Sequence, residues 1–167
     1  MHIGGTYNGT PVFGVVYELA SDHLYWGSSK GAAHKHHGNA DTPLRVRTSR
    51  KKPLICVNGH LLAKYSAELE ALQMDHYEQG SYGLRMMKIA QGIFDVTIAV
   101  QQRCMPWDIC APHAIVKAAG GYIGQLDGKP YQYDTTGELT QHVIIARSKK
   151  LYEQVRQTIL KVSKDRS

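Results

Sequence analysis

Cysteine is scarce in this chain of 167 residues: there are three, Cys56, Cys104 and Cys110, an odd number with no C-x-x-C spacing. Cys56 and Cys110 lie in apolar runs and read as small core residues, which points to a reducing, cytoplasmic compartment. Long hydrophobic runs are also missing. No uncharged stretch approaches the roughly 20 residues that a membrane span needs, and the opening "MHIGGTYNG" is neither basic nor apolar enough for a secretory signal. A membrane role is therefore not expected. What is present is 43% hydrophobic and 20% charged sequence with 16 Gly and only 2 Phe, a composition that suits an α/β globular chain and argues against a disordered tail. This length can bury a real core without staples.

Acids are the minority charge. Lys and Arg total 20 against 14 Asp and Glu, for a net charge of +6 with His neutral. That balance favours phosphate-bearing partners. It argues only weakly for nucleic acid, because the basic residues are scattered. The densest groups are Arg45, Arg47, Arg50, Lys51 and Lys52, and Lys161, Lys164 and Arg166 near the C-terminus. Both read as solvated surface.

The β-branched and aromatic run "PVFGVVYEL" and the later "HLYWGSS", joined by "ASD", read as a hairpin. "GAAHKHHGNADTP" reads as a polar loop and "LRVRTS" as an exposed strand. "PLICVNG" has the continuous apolar character of a buried strand. Leu61, Leu62, Tyr65, Leu69 and Leu72 then form a helical stripe. A short segment near His76 leads into a helix over 81–91, and "IFDVTIAV" is a strong strand. A helix over 107–119, the strand "YIGQL", the turn "DGKP", the strand "HVIIAR" and a helix from Lys149 to about Val162 complete the chain. Alternating strands and helices after residue 52 predict a layered α/β unit with a mixed or mainly parallel sheet and flanking helices. The first fifty residues supply strands but no helix, so one face of their short antiparallel sheet needs a cover from the later unit or from another chain.

The stretch "PWDICAPHAIVKAAGG" is the most specific. Pro106 suits the residues just before a helix, Asp108 stands where an N-cap or first-turn acid belongs, and Gly120 and Gly121 suit its end. Ile109, Ala111, Ala114, Ile115, Ala118 and Ala119 make it apolar or small over most of its circumference, as in a helix packed on two sides. Asp108 either only caps that helix or points into a site. With "DGKPYQY" after it, this stretch closely resembles the closing motif of the inositol monophosphatase superfamily of metal-dependent phosphatases. "WDICAP" is most similar to the 3′(2′),5′-bisphosphate nucleotidase branch. "GSYGLRMMKIAQGIFDVTI" and "NGTPVFGVVYELASDHLYWG" resemble two upstream segments of that family, so the likeness runs from about Tyr7 to Arg147.

The resemblance implies that Asp108 is a ligand for a divalent cation, usually Mg²⁺, a role compatible with capping because a carboxylate has two oxygens. It also implies that the other metal ligands come from a paired-acid helix and a D-P-x-D-G-T loop, both N-terminal to everything in this sequence. No such loop or acid pair is found here. The chain thus resembles the C-terminal portion of such a phosphatase, with 1–50 a remnant of an N-terminal antiparallel sheet and 51–167 the C-terminal α/β domain. One carboxylate would leave Mg²⁺ with nearly all its waters.

On the substrate side, Gly80 and Ser81 at a helix start offer free N–H groups to an anion. Arg85 falls where the nucleotidase branch usually carries a phosphate-binding Lys, and His60 falls near a pocket-lining histidine of that branch. Each has a plainer reading, Ser81 as an N-cap and Arg85 as a surface charge. Gln101, Gln102 and Arg103 occupy a loop that varies with substrate in the family; Arg103 is either a phosphate partner or an exposed loop residue. His34 to Gly38, "HKHHG", has no acid or Cys at ligand spacing and reads as a solvated loop. Trp107 reads as core packing beside Asp108, and Met86 and Met87 as gap-fillers.

Two functions follow. One is phosphomonoester hydrolysis of an adenosine bisphosphate or inositol phosphate, with Mg²⁺ and with missing acids supplied by a separate N-terminal chain, the isolated chain being inactive. The other is a non-catalytic anion-binding or dimerisation domain derived from such a phosphatase. A homodimer is expected from the uncovered sheet.

Overall fold

A computed structural model of the protein describes residues 1–100, 103–133, 139 and 141–165, without the side chain of Lys64. Two five-stranded sheets organise it. The first runs in chain order, β1 (His2–Tyr7), β2 (Thr10–Glu18), β3 (His23–Ser28), β4 (Ala33–His37) and β5 (Ala40–Leu44), every neighbour antiparallel. The expected hairpin is β2 and β3. The "polar loop" after it is instead β4 and β5, because alternate residues find partners across the sheet. Ala33 and Leu44 go inward and are buried, while His34 lies flat on Trp26 at 4.5 Å. "LRVRTS" is not the strand expected of it. Beyond Leu44 the segment is tied to helix ends rather than to a strand: the Val46 backbone N–H donates to the Ala119 carbonyl at 3.0 Å, and the Arg47 side chain donates through Nε to the Gly92 carbonyl at 2.9 Å.

The second sheet has β6 (Leu54–Val57), β7 (Asp75–Glu78), β8 (Val96–Ala99), β9 (Tyr122–Gln125) and β10 (Val143–Ala146) in the spatial order β7-β6-β8-β10-β9. β6 is parallel to β7 and β8, whereas β10 runs antiparallel to β8 and β9. The sheet is mixed, as the alternation of elements predicts. The helical stripe after β6 divides at Tyr65 into α1 (Gly59–Lys64), whose N-cap Asn58 accepts from the Leu61 N–H at 2.9 Å, and α2 (Ser66–Leu72). α3 (Tyr82–Ala90), α4 (Pro106–Ala118) and α5 (Lys149–Asp165) follow their expected positions within a few residues.

Side chains pointing to opposite faces of the second sheet enter two different cores, as β10 illustrates. Val143 and Ile145 join Met86, Met87, Ile109, Ile115 and the first sheet's Val16 and Tyr25. Ile144 and Ala146 join Leu61, Leu72, Leu151, Val155 and Ile159 under α1, α2 and α5. The order of layers is therefore first sheet, α3 with α4, second sheet, then α1, α2 and α5. α4 is the helix packed on two sides. It lies close on the first sheet because small residues meet there: a Cβ at Gly14 would fall on the Ala111 carbonyl, and one at Gly27 would stand 3.3 Å from the Ala118 methyl. α4 thus covers the inner face of the first sheet, and the outer face has no layer on it among the described residues.

The basic cluster at 45–52 is less free than a solvated surface. Arg50 lies 2.9 Å from the buried Asp95 carboxylate, and Lys52 pairs with Asp75 at 2.6 Å.

Candidate active site

The parallel strands β6, β7 and β8 end on the same edge of the second sheet, and each hands the chain to a segment with a candidate residue. After β6 come Asn58 and His60 at the start of α1, after β7 come Gly80 and Ser81 before α3, and after β8 comes the loop that leads to Asp108. In open α/β sheets this edge is where ligands bind. Gln101 and Gln102 lie outside the described residues. The Tyr82 hydroxyl accepts from the Val100 N–H at 3.4 Å, so the β8 loop and the start of α3 are in contact.

Asp108 is the third residue of α4, partly buried, and Met105 is the cap. Its Oδ2 accepts from the Met105 N–H at 2.9 Å, the back-reaching bond of a first-turn acid. Oδ1 takes no hydrogen bond among the described residues. Trp107 corrects the sequence expectation: it is 62% exposed, because the buried stripe of α4 starts with Pro106, Ile109 and Ala111 and the second residue of the helix points away from it. Met105, at 38%, is exposed with it.

Ser81 caps α3, its Oγ accepting the Leu84 N–H at 3.4 Å, and is exposed along with Gly80. Arg85 is not a surface charge. It is fully buried, with Nη1 donating to Thr97 Oγ1 at 3.3 Å and Nη2 to the Gly80 carbonyl at 3.4 Å. Its Cζ stands 4.0 Å over the Tyr82 ring. No carboxylate pairs with it among the described residues, and its Nε has no partner there. The guanidinium therefore reaches from inside the core to the residue just before the helix cap. Arg103 is exposed, and its backbone N–H donates to the Val100 carbonyl at 3.2 Å. His60 is partly buried.

One neighbour of Asp108 was not legible in the sequence. His2, on β1, contacts the Asp108 backbone and is pressed against Gly83 of α3, where a Cβ would collide with its ring. Burial holds its imidazole below the ordinary histidine value, the N-terminal ammonium lowers it further, and Asp108 opposes both. Two glycines in "MHIGGTY" hide the strand that brings it there. Burial also raises two thiols near Arg85, Cys56 and Cys104, each to about 12, so both are neutral core groups.

A hard cation such as Mg²⁺ takes about six oxygen ligands. Among the described residues no group of three His, Cys, Asp or Glu could hold a metal ion, and Asp108 offers one carboxylate beside an imidazole. These residues do not by themselves make a Mg²⁺ site. The His34–Gly38 stretch is no exception: His34 pairs with Asp41 at 2.8 Å, but a third ligand is lacking.

The fold is thus a four-layered α/β architecture with an acid at a helix start on the edge where the parallel strands end. The chain belongs to the inositol monophosphatase family, which matches residues 1–164. Members of that family are typically metal-dependent and act on phosphorylated small molecules. The 3′(2′),5′-bisphosphate nucleotidase CysQ of Escherichia coli (strain K12) is 28% identical over 131 residues, which are 75% of this chain and 50% of that protein. The inositol monophosphate-bound structure of SaIMPase-II aligns with a TM-score of 0.80 at 20% identity, over 98% of this chain and 62% of the other. The structure of CysQ from Bacteroides thetaiotaomicron aligns at 0.74 and 21% identity, over 89% and 62%. The chain spans about half the length of the first curated relatives it matches. No helix among the described residues is long and apolar enough to cross a membrane.

Proposed function

We propose that this chain carries part of a metal-dependent phosphomonoesterase site, of the kind that acts on 3′(2′),5′-bisphosphonucleotides or inositol phosphates, and that these 167 residues alone do not turn substrate over. The observation that carries this reading is Asp108: a carboxylate with one oxygen anchored by its own helix, at the edge where the parallel strands end, and in no group of three metal-binding side chains among the described residues. In this reading Gly80, Ser81 and Arg85 receive a substrate phosphate, with the first amides of α3 supplying N–H donors and Arg85 the charge. Arg103 and His60 border the same edge. Asp108 supplies one metal-binding oxygen and the remaining acids come from outside this sequence.

The reading also keeps 1–50 and 51–167 as two units and a cytoplasmic location, the latter supported by three free cysteines. A second reading, a non-catalytic anion-binding or self-associating domain, is favoured by Arg85, a buried cation with no carboxylate partner among the described residues, and by the open first sheet.

Purified chain is assayed against adenosine 3′,5′-bisphosphate and inositol monophosphate with and without Mg²⁺, beside Asp108→Asn. The expected outcome is no turnover in either protein. Metal-dependent turnover that disappears in Asp108→Asn would show that the chain completes the site by itself and would overturn the inactive part of the proposal.

A further inference from the structure

α4 carries a second set of chemical groups away from Asp108. His113 and Lys117 follow it by roughly 7.5 and 13.5 Å along the helix, and both line an open cavity of about 330 Å³. The cavity lies at the turn end of the β1–β2 hairpin, where Thr10 and Pro11 form one wall. His2, at the other end of β1, is the residue beside Asp108. Tyr122 and Tyr131 supply further apolar wall. The volume is at the lower end of the range for small-molecule sites, which combine an apolar lining with a few fixed polar groups.

The tautomer of His113 follows from its neighbour. The residue is 7% exposed, and its Nδ1 lies 3.0 Å from the Tyr133 hydroxyl. Burial holds the Tyr133 phenol protonated and the His113 imidazole neutral. A hydroxyl proton held out of water needs an acceptor, and Nδ1 is the one within its reach among the described residues. The Tyr133 O–H therefore donates to Nδ1, which places the imidazole proton on Nε2. Nε2 has no hydrogen-bond partner among the described residues. His113 lines the cavity and Tyr133 does not, so the ring turns Nδ1 to Tyr133 and its opposite edge to the open space. Lys117 is exposed and forms no ion pair among the described residues. No Asp or Glu lines the cavity.

We propose that this cavity binds a small monocarboxylate with a flat apolar body, one carboxylate oxygen accepting from the His113 Nε2–H, the other pairing with the Lys117 ammonium, and the body lying between Pro11, Tyr122 and Tyr131. One ammonium and one neutral N–H match a singly charged head group with two oxygens. A phosphate monoester carries close to two charges and three acceptor oxygens, more than these two donors satisfy, and the apolar walls would strip water from the rest. An uncharged ring would leave Lys117 without a counter-ion. The site is separate from the edge that holds Asp108, and it does not depend on phosphoesterase chemistry there.

The test titrates the purified chain with benzoate and phenylacetate by calorimetry, with benzyl alcohol and inorganic phosphate as controls. The His113 ring nitrogens are followed by NMR, their signals assigned by loss in His113→Gln. No metal or phosphatase substrate is present, so the result is independent of turnover. A carboxylate is expected to bind one to one and to move the Nε2–H signal, with benzyl alcohol at least about tenfold weaker and phosphate failing to displace it. Lys117→Gln, at an exposed position, weakens binding about tenfold, while Lys164→Gln, exposed near the end of α5, leaves it intact. Tyr133→Phe, which frees the tautomer but keeps the ring, weakens binding and splits or shifts the Nε2–H signal before any ligand is added. Equal affinity for benzyl alcohol, displacement by phosphate, or unchanged affinity in Lys117→Gln overturns the carboxylate assignment. Neither heat nor movement of the His113 signal at millimolar ligand overturns the site itself.

Discussion

Asp95 and Arg147 hold each other twice. Arg147 Nη1 donates to Asp95 Oδ1 at 3.0 Å, and the Arg147 backbone N–H donates to the Asp95 carbonyl at 2.8 Å. The carboxylate is fully buried. Its other oxygen accepts from the Leu54 N–H at 2.8 Å and faces Arg50 Nε at 2.9 Å. One side chain thus ties the start of β8 to the start of β6, to the residue after β10 and to the link between the two sheets. Removing a single partner from such a buried cluster strands the opposite charges. Asp95→Ala is expected to lower stability by about 3–5 kcal/mol, read as a shifted urea midpoint at unchanged slope. A loss under about 1 kcal/mol, the range of surface pairs, would mean the cluster is solvated.

The seam between α4 and the first sheet gives a second expectation. Because a Cβ at Gly14 meets the Ala111 carbonyl, which is backbone and cannot rotate away, α4 or β2 must shift. Gly14→Ala should cost about 3 kcal/mol, the upper end for overpacking. Gly38→Ala is the contrast: nothing stands near a Cβ there, and the loss comes only from a left-handed backbone at φ 56°. Thermal unfolding of the two variants separates crowding from backbone strain, and equal losses would contradict the close approach.

Much of this was legible beforehand, for physical reasons that differ along the chain. β6, β8 and β10 of the second sheet are short continuous apolar runs that announce themselves by hydropathy alone, whereas the edge strand β7 is polar and exposed and gives no such sign. α4 did so by its caps and its small residues. The first sheet was half hidden. β4 and β5 are one-sided strands whose polar side chains face outward, so "HKHHG" reads as a loop unless Trp26 is known to lie opposite His34. β1 was hidden by its glycines, and with it His2. Arg85 shows the reverse limit: a charged residue in a helix gives no sign of being buried when its partners are a ring, a hydroxyl and a carbonyl rather than an acid.

His113 predicts sensitivity to acid. Burial within α4, with Lys117 adding to it, pushes its imidazole down to about 3 from the ordinary 6.5. Its Nδ1 lies 3.0 Å from the Tyr133 hydroxyl, whose own ionisation burial pushes far up. The folded state holds His113 neutral where the unfolded chain takes up a proton. The stability this confers is complete above pH 6.5 and is lost as pH falls towards 3, at up to about 1.4 kcal/mol per pH unit. His113→Gln, which cannot titrate, should flatten the fall by that amount over the same window. Parallel pH profiles for the two proteins would show that His113 protonates without unfolding.

Arg85 separates the two readings of the ligand-binding edge. A buried cation with no carboxylate beside it lowers stability in the absence of an anion. Replacing it with an apolar side chain of similar length removes that cost. Arg85→Met is therefore expected to be as stable as the parent or more so without ligand. If the α3 start and Arg85 form a phosphate site, inorganic phosphate raises the melting temperature of the parent and leaves Arg85→Met unmoved. If Arg85 serves packing alone, phosphate shifts neither protein and Arg85→Met unfolds more easily, through lost contact with Tyr82 and the Thr97 hydroxyl. Arg85→Lys decides between charge and geometry: it keeps the cation yet loses the planar fork that reaches Thr97 and Gly80 together. A phosphate response preserved in Arg85→Lys and absent from Arg85→Met would mean that charge alone holds the anion.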